Sequence, residues 1–180
     1  MIYERYDALD ADAKLAAFLP AYTEIYQEPP YCEGPDDVAE FAKHYHVQTR
    51  RPGMRLILAR EEEEVVGFTY GYHLAPDTRW WENLQDAYLS PEFTHEDGRR
   101  TFVVIELAVR GPWRRRGIAT ALHRRLLRGL DAERVTLTVR PEPEAAPARS
   151  AYEAWGYRKA GVSRPFEGSP LYDCMVREET

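Results

Sequence analysis

Between Phe102 and Leu130 the hydrophobic period of the chain changes from that of a strand to that of a helix. No other stretch constrains the fold as much. Phe102 to Val109 is apolar and rich in β-branched residues, broken only by Glu106, which is the pattern of a strand covered on both faces. Gly111 and Pro112 close it. Beyond them Ile118, Ala121, Leu122, Leu126 and Leu130 recur at three- and four-residue spacing, the stripe of an amphipathic helix. Arg114-Arg115-Arg116-Gly117-Ile118-Ala119 lies between the two and leads into the helix N-terminus. First-turn N–H groups have no partner inside the helix, the helix dipole is positive there, and Gly117 lets a ligand approach the backbone. The turn is therefore expected to bind an anion of the phosphate kind.

The charge distribution points the same way. Arg110 to Leu130 carries seven arginines and no acidic residue, in a chain whose formal net charge is −6. Arg124, Arg125 and Arg128 read as a solvated helix face, whereas Arg114 to Arg116 precede the helix and would add to its dipole. The acidic balance argues against bulk nucleic-acid binding, and steeply salt-dependent binding to DNA or RNA would be the mark of that alternative. At 180 residues, 44% hydrophobic and 30% charged, the chain reads as one globular domain, 1–180. Its first residues lack the build of a signal peptide, and no apolar run approaches a membrane span, so a cytoplasmic protein is expected. Cys32 and Cys174 fit free thiols in a reducing compartment.

The R-x-x-G-x-A of Arg114, Gly117 and Ala119, after a strand ending Leu107-Ala108-Val109, resembles the acetyl-CoA signature of the GNAT family of N-acetyltransferases. The resemblance implies that the turn from Arg114, Arg115 and Arg116 through Gly117, Ile118, Ala119 and Thr120 holds the coenzyme A pyrophosphate. It also implies that Leu107, Ala108 and Val109 engage pantetheine through their backbone, on a central strand that splays from its neighbour.

The remaining elements follow in the family's order. Ile2 to Tyr6 reads as a first strand. A helix capped by Asp10 or Asp12 should run to about Tyr26, with Leu15, Phe18, Leu19, Tyr22, Ile25 and Tyr26 on its apolar side. Pro20 predicts a kink or split within it. A second helix follows Gly34-Pro35 through Val38, Phe41, Ala42 and Tyr45. Met54 to Ala59 and Val65 to Tyr72 are strands joined by a solvated tip of glutamates. Residues 73 to 100 form an irregular aromatic loop with a short helix near Trp81 to Tyr88. Val135 to Val139 is a strand, Pro147 to Trp155 a helix, and Tyr157 to Val162 and Leu171 to Arg177 the last two strands. The sum is an α/β fold with a mixed central sheet flanked by helices, and the exposed final strands offer an edge for a homodimer.

A second motif, Ala151-Tyr152-Glu153-Ala154-Trp155-Gly156-Tyr157, resembles the segment that closes the coenzyme site in this family. Gly156 should end the helix in a left-handed conformation. The resemblance gives Tyr152 the role of acid toward the departing thiolate; a core tyrosine with one hydrogen bond is the alternative. The family's asparagine ahead of this helix has no counterpart in Pro141 to Pro147.

Acetyl transfer needs a base, because amines are mostly protonated at neutral pH. Glu106 is the candidate: a carboxylate within an apolar strand is costly to bury, and desolvation raises its pKa. The alternatives are an arginine ion pair or a solvent-facing position. Tyr22, Tyr26, Tyr31, Trp80, Trp81 and Tyr88 either form an aromatic cleft for the acceptor, with Tyr26, Tyr31, Trp80 and Trp81 as its substrate-facing members, or pack the loop on the sheet. The acceptor is expected to be a small-molecule amine and acetyl-CoA the donor, with no metal and no membrane or nucleic-acid partner. A coenzyme-binding module without turnover is the alternative from another class. His44 and His46 are two apart and share no helix face, His123 is expected on the surface, and His73 and His95 flank the aromatic loop.

Overall fold

The computed structural model describes residues 1–179. Its strands are β1 (Ile2–Asp7), β2 (Arg55–Glu61), β3 (Glu64–His73), β4 (Thr101–Val109), β5 (Arg134–Val139), β6 (Arg158–Ser163) and β7 (Tyr172–Glu178). They form a seven-stranded mixed sheet in the order β1-β2-β3-β4-β5-β7-β6. The helices are α1 (Ala8–Asp12), α2 (Leu15–Tyr26), α3 (Pro35–Gln48), α4 (Pro91–Thr94), α5 (Ile118–Leu127) and α6 (Ala146–Ala154). The predicted succession of strands and helices is thus observed, with two additions, α1 and α4.

Two compact units divide the chain, Met1–Tyr72 with Val104–Leu130, and His73–Val103 with the chain from Asp131 onward. The division passes through β4. In the first unit, β1 pairs antiparallel with β2 and β2 with β3. Residues at three- and four-residue spacing on α2 and α3 supply a largely aromatic core. Phe18, with no exposed surface, meets Tyr45 edge-on at 5.2 Å and lies 4.8 Å from Phe68 of β3. Each such ring contributes roughly 1.5–3 kcal/mol by leaving water. Leu122 and Leu126 of α5 are fully buried, and α5 packs on β2. Arg55 of β2 reaches the far end of that helix and donates to the carbonyls of Leu126, Arg128 and Gly129, groups a helix C-terminus leaves without partners.

In the second unit the start of β4 runs parallel to β5, Thr101–Val103 against Arg134–Thr136, and β5, β7 and β6 continue antiparallel. The parallel ladder ends at Val103 although β4 runs on to Val109. The long loop after β3 carries a 3-10 turn at Trp81–Asn83 and the short α4, whose N-cap Ser90 accepts from the Phe93 N–H at 3.2 Å. The loop is fastened by a buried ion pair. Glu96 Oε1 receives hydrogen bonds from Trp81 Nε1 at 2.8 Å, Thr101 Oγ1 at 2.6 Å and Arg134 at 3.0 Å. The Arg134 guanidinium lies over the rings of Phe93 and Trp81.

Several local expectations need correction. The break in the first helical region falls at Ala13 and Lys14, and Pro20 sits inside an unbroken α2. Neither Asp10 nor Asp12 caps a helix. Asp12 instead accepts from Thr49 Oγ1 at 2.7 Å and pairs with His46 at 2.8 Å, tying α1 to the end of α3. α5 stops at Leu127, short of Leu130, because Gly129 turns the chain at φ +64. His123 is not on the surface but 5% exposed within α5. The helix expected near Trp81 to Tyr88 is only the 3-10 turn, and the α-helix of this loop lies later, at α4.

Candidate active site

In the first unit the chemistry gathers around the end of β4. Glu106 is partly exposed as a residue, yet its carboxyl group lies deep, and Oε2 receives a hydrogen bond from the hydroxyl of Tyr26 at the end of α2. Burial pushes the Glu106 pKa up to about 8. The Tyr26 hydrogen bond opposes that rise, and the nearby charge of Glu33 adds to it. Burial and the Glu106 charge hold the Tyr26 phenol well above its usual range, so Tyr26 keeps its proton and donates it. On the backbone side, Thr69 Oγ1 of β3 donates to the Glu106 carbonyl at 2.6 Å.

Two further tyrosines pack against this pair. Tyr22 and Tyr26 stack at 4.3 Å, as α2 positions four apart must when both face one way, and Tyr31 meets Tyr26 edge-on at 4.7 Å. Tyr22 is itself stacked on Phe41 of α3 at 3.6 Å and donates to Glu33 Oε2 at 2.8 Å. Burial and the charge of Asp37 raise the Glu33 pKa, with the Tyr22 bond acting against them. The loop bearing Tyr31 and Glu33 folds back on α2, with the Glu33 N–H on the Tyr26 carbonyl at 2.9 Å.

Beyond Glu106 the strand is shaped by a close approach. A Cβ on Gly67 of β3 would lie 3.0 Å from the Ala108 carbonyl oxygen and 3.2 Å from Leu122 Cδ1, so any side chain there would press β4 and α5 back from β3. Leu107 and Val109 are half-buried and Ala108 buried. The chain then enters a 3-10 turn at Gly111–Trp113 and the arginine-rich turn. Arg115 and Gly117 both adopt left-handed backbone, at φ +65 and φ +77, and Gly117 is the N-cap of α5. No side chain caps that helix, and a Cβ on Gly117 would meet nothing within 4 Å. The N–H groups of Ile118, Ala119 and Thr120 thus open the helix with a glycine and no capping oxygen before them, which suits an incoming anion.

The arginines of this turn do different work. Arg110 is ion-paired to both Glu24 of α2 and Glu64 of β3. Trp113 donates its indole N–H to Glu61 Oε2 at 2.6 Å, so two of the four glutamates of the exposed β2–β3 tip, Glu61 and Glu64, also hold partners. Arg114 pairs with Glu28 at 2.8 Å and donates from Nε to the Val109 carbonyl at 2.9 Å. Arg115 and Arg116 are exposed and make no ion pair among the described residues. Of the α5 arginines, Arg125 lies over the Tyr3 ring at 4.1 Å.

In the second unit, α6 ends as the second motif predicts. Gly156 is left-handed at φ +94, its N–H bonds the Glu153 carbonyl at 3.1 Å, and the Tyr157 N–H bonds the Tyr152 carbonyl at 3.0 Å. This is the paired closure of a Schellman motif, and the Tyr152 and Tyr157 rings meet at 5.9 Å across it. Tyr152 is 8% exposed and also contacts Trp155 edge-on at 5.7 Å. Trp81 is buried against Phe93, and Trp80 donates to Thr136 Oγ1 at 3.3 Å. Tyr88 is almost fully exposed. Cys32 is exposed and Cys174 buried, both as free thiols.

Among the described residues no group of three or more His, Cys, Asp or Glu is arranged to hold a metal ion, and no helix is long and apolar enough to cross a membrane.

Comparison with solved structures returns the same fold along the whole chain. PH1933 from Pyrococcus horikoshii matches with a TM-score of 0.65 at 16% identity, covering 99% of this chain and 98% of its own. The PaiA N-acetyltransferase from Thermoplasma acidophilum, solved with coenzyme A, matches with a TM-score of 0.62 at 12% identity, covering 99% and 100%. Naa20 from Chaetomium thermophilum, solved with a bisubstrate analogue, matches with a TM-score of 0.63 at 17% identity, covering 99% and 86%. No curated protein matches by sequence. The model of the acetyltransferase (GNAT) family, however, matches residues 18–157, from the middle of α2 through the Tyr152 motif. With its strand, arginine-glycine turn and helix in that order, this chain belongs to the GNAT acetyltransferase family.

Proposed function

We propose that this protein is an acetyl-CoA-dependent N-acetyltransferase acting on a primary amine of a small molecule. The observation that carries the reading is the end of β4, where a buried glutamate with a pKa near 8 stands a few residues before an uncapped, left-handed glycine turn into α5. The turn from Arg114 to Thr120 holds the coenzyme pyrophosphate on backbone N–H groups, with the Arg115 and Arg116 charges close by. Leu107, Ala108 and Val109 engage pantetheine through the backbone, beyond the point where the β4–β5 ladder stops.

In this scheme Glu106, directly or through a water, takes a proton from the ammonium group of the acceptor. The neutral amine attacks the thioester carbonyl, a C–N bond forms, and the C–S bond breaks. The Tyr152 hydroxyl supplies the proton that the thiolate takes up, and the second proton that the nitrogen sheds as the amide forms restores the Tyr152 hydroxyl through water. A base with a pKa near 8 suits this task, because it is largely ionised where a useful fraction of the amine is becoming neutral. Tyr26 and Tyr31 line the acceptor side. The loop folded back on α2 by Glu33 and the close tyrosine stack favour a small amine over an extended peptide. A structural neighbour from Corynebacterium glutamicum described as a histone acetyltransferase keeps a protein amine as the competing acceptor.

Thermal unfolding with acetyl-CoA, coenzyme A and ATP tests the coenzyme site. A ligand at about one hundred times its dissociation constant adds roughly 2.7 kcal/mol, which both coenzymes should show and ATP should not. Thiol release with a panel of arylalkylamines, diamines and peptides then tests the acceptor. Absence of any coenzyme shift removes the reading, and coenzyme binding without thiol release from any amine leaves a binding module.

A further inference from the structure

We propose that Tyr26 is a positioning residue that acts through Glu106, fixing which carboxylate oxygen faces the acceptor amine and holding that carboxylate ready to take the proton. The inference rests on the acetyltransferase reading of the same site. The geometry is specific. Tyr26 donates to Oε2 of Glu106, whereas Oε1 has no hydrogen-bond partner among the described residues. One oxygen is therefore tied and the other left for the amine or a bridging water. The Thr69 hydroxyl pins the Glu106 carbonyl from β3, so the residue is held at its backbone and at its carboxylate at once.

The tie is itself rigid. Tyr26 is buried, with Tyr22 stacked on its face and Tyr31 against it edge-on. Tyr22 cannot swing away, because Phe41 covers it and its hydroxyl is bonded to Glu33. A phenol held this way loses little entropy when it binds a carboxylate. The arrangement also has a clear electrostatic purpose. The groups that face Glu106 are Tyr22 and Tyr26 from α2, Glu33 from the following loop and Tyr70 from β3, with Asp37 of α3 acting on Glu33. None of them is a cation. Burial and Glu33 both disfavour the ionised carboxylate, and the Tyr26 hydroxyl is the group that favours it. Without that hydroxyl, Glu106 would be ionised, and so able to take a proton from the amine, only at higher pH.

The test is a titration of Glu106 by carbon NMR in protein labelled at the glutamate carboxyl carbon, with Glu106→Gln identifying the resonance. Tyr26→Phe keeps the ring and removes the donor, and the Glu106 midpoint should rise by about one pH unit, the value of one hydrogen bond to a charged group. Placing 3-fluorotyrosine at position 26 makes the phenol a stronger donor without changing its shape, and the midpoint should fall. The low-pH limb of kcat/KM for thiol release should move with the midpoint in both variants. A midpoint unmoved by either change overturns the role of Tyr26, and in an active enzyme leaves the acetyltransferase reading intact. A midpoint that moves as stated in a protein that transfers no acetyl group supports the hold of Tyr26 on Glu106 and overturns the acetyltransferase reading.

Discussion

Arg114 and Glu28 form an ion pair at 2.8 Å, so the first arginine of the turn into α5 is already engaged by the loop that leads from α2 to Tyr31 and Glu33. Both side chains are more than a third exposed, and such a pair is worth about 0–1 kcal/mol. If the coenzyme phosphates draw on Arg114, they compete with Glu28 for it. Glu28→Gln should then tighten coenzyme A binding by about two- to fivefold, with most of the gain lost in high salt. Isothermal titration calorimetry at two salt concentrations reads both effects. Equal affinity for wild type and variant would mean that Arg114 serves Glu28 and the Val109 carbonyl, and not the coenzyme.

Glu106 makes a separate prediction about stability. Its folded pKa, about 8, lies above the carboxylate value of an unfolded chain, so the folded state holds a proton that the unfolded state has released. Below the unfolded pKa both states are protonated and Glu106 adds no pH dependence. As pH rises from the usual carboxylate range toward 8, stability falls, and above 8 the loss is complete. Glu106→Gln removes this slope. The variant should match wild type near pH 4 and exceed it at pH 9 by on the order of 5 kcal/mol. Urea unfolding at the two pH values measures it. A difference that is the same at both would place the Glu106 pKa in the ordinary range.

Much of this site was legible because its parts are local in sequence. The change of hydrophobic period after Val109 and the glycine before Ile118 dictate a strand, a turn and a helix within thirty residues, and the structure has them. Gly156 announces a left-handed helix end in the same local way. The partners of these elements are a different matter. Tyr26 and Glu106 lie 80 positions apart, and no pattern in α2 distinguishes a tyrosine that bonds a carboxylate from one that fills a core. Gly67 reads as one more small residue in a strand until the Ala108 carbonyl is seen against it. Charge misleads for a related reason. Arg114 looks like a ligand for phosphate, but Glu28 approaches it from the loop after α2, and Arg110 of the same basic run is held by Glu24 and Glu64. Pro20 was expected to kink or split its helix; α2 is not split there, because the ring falls on an exposed face where the lost hydrogen bond is tolerated.

Tyr152 closes α6 with its carbonyl and packs its ring on Trp155 and Tyr157, so its backbone and ring have structural duties that its hydroxyl need not share. Tyr152→Phe separates them. The ring and the Schellman closure persist, and the cost to stability should be about 1 kcal/mol, that of one hydrogen bond. If the hydroxyl protonates the leaving thiolate, kcat for thiol release should fall by about 10²-fold, while the dissociation constant for coenzyme A stays the same. Steady-state kinetics with calorimetry gives both numbers. A variant with undiminished kcat would make Tyr152 a core residue only.

Glu96 and Arg134 test how the second unit holds its long loop. Both side chains are almost wholly buried, and Oε1 alone carries the bonds from Trp81, Thr101 and Arg134, while Oε2 has no hydrogen-bond partner. Removing one member strands the other, and that loss is usually about 3–5 kcal/mol. Glu96→Ala should therefore lower the urea midpoint steeply, because the Arg134 charge remains between Trp81 and Phe93 with its carboxylate gone. Replacing both members, as in Glu96→Leu with Arg134→Met, removes the buried charges together. The double variant should recover more than half of what Glu96→Ala loses, since apolar packing often replaces such a pair at little cost. A double variant no more stable than Glu96→Ala would show that the three hydrogen bonds on Oε1, and not charge neutralisation, hold the loop against β4 and β5.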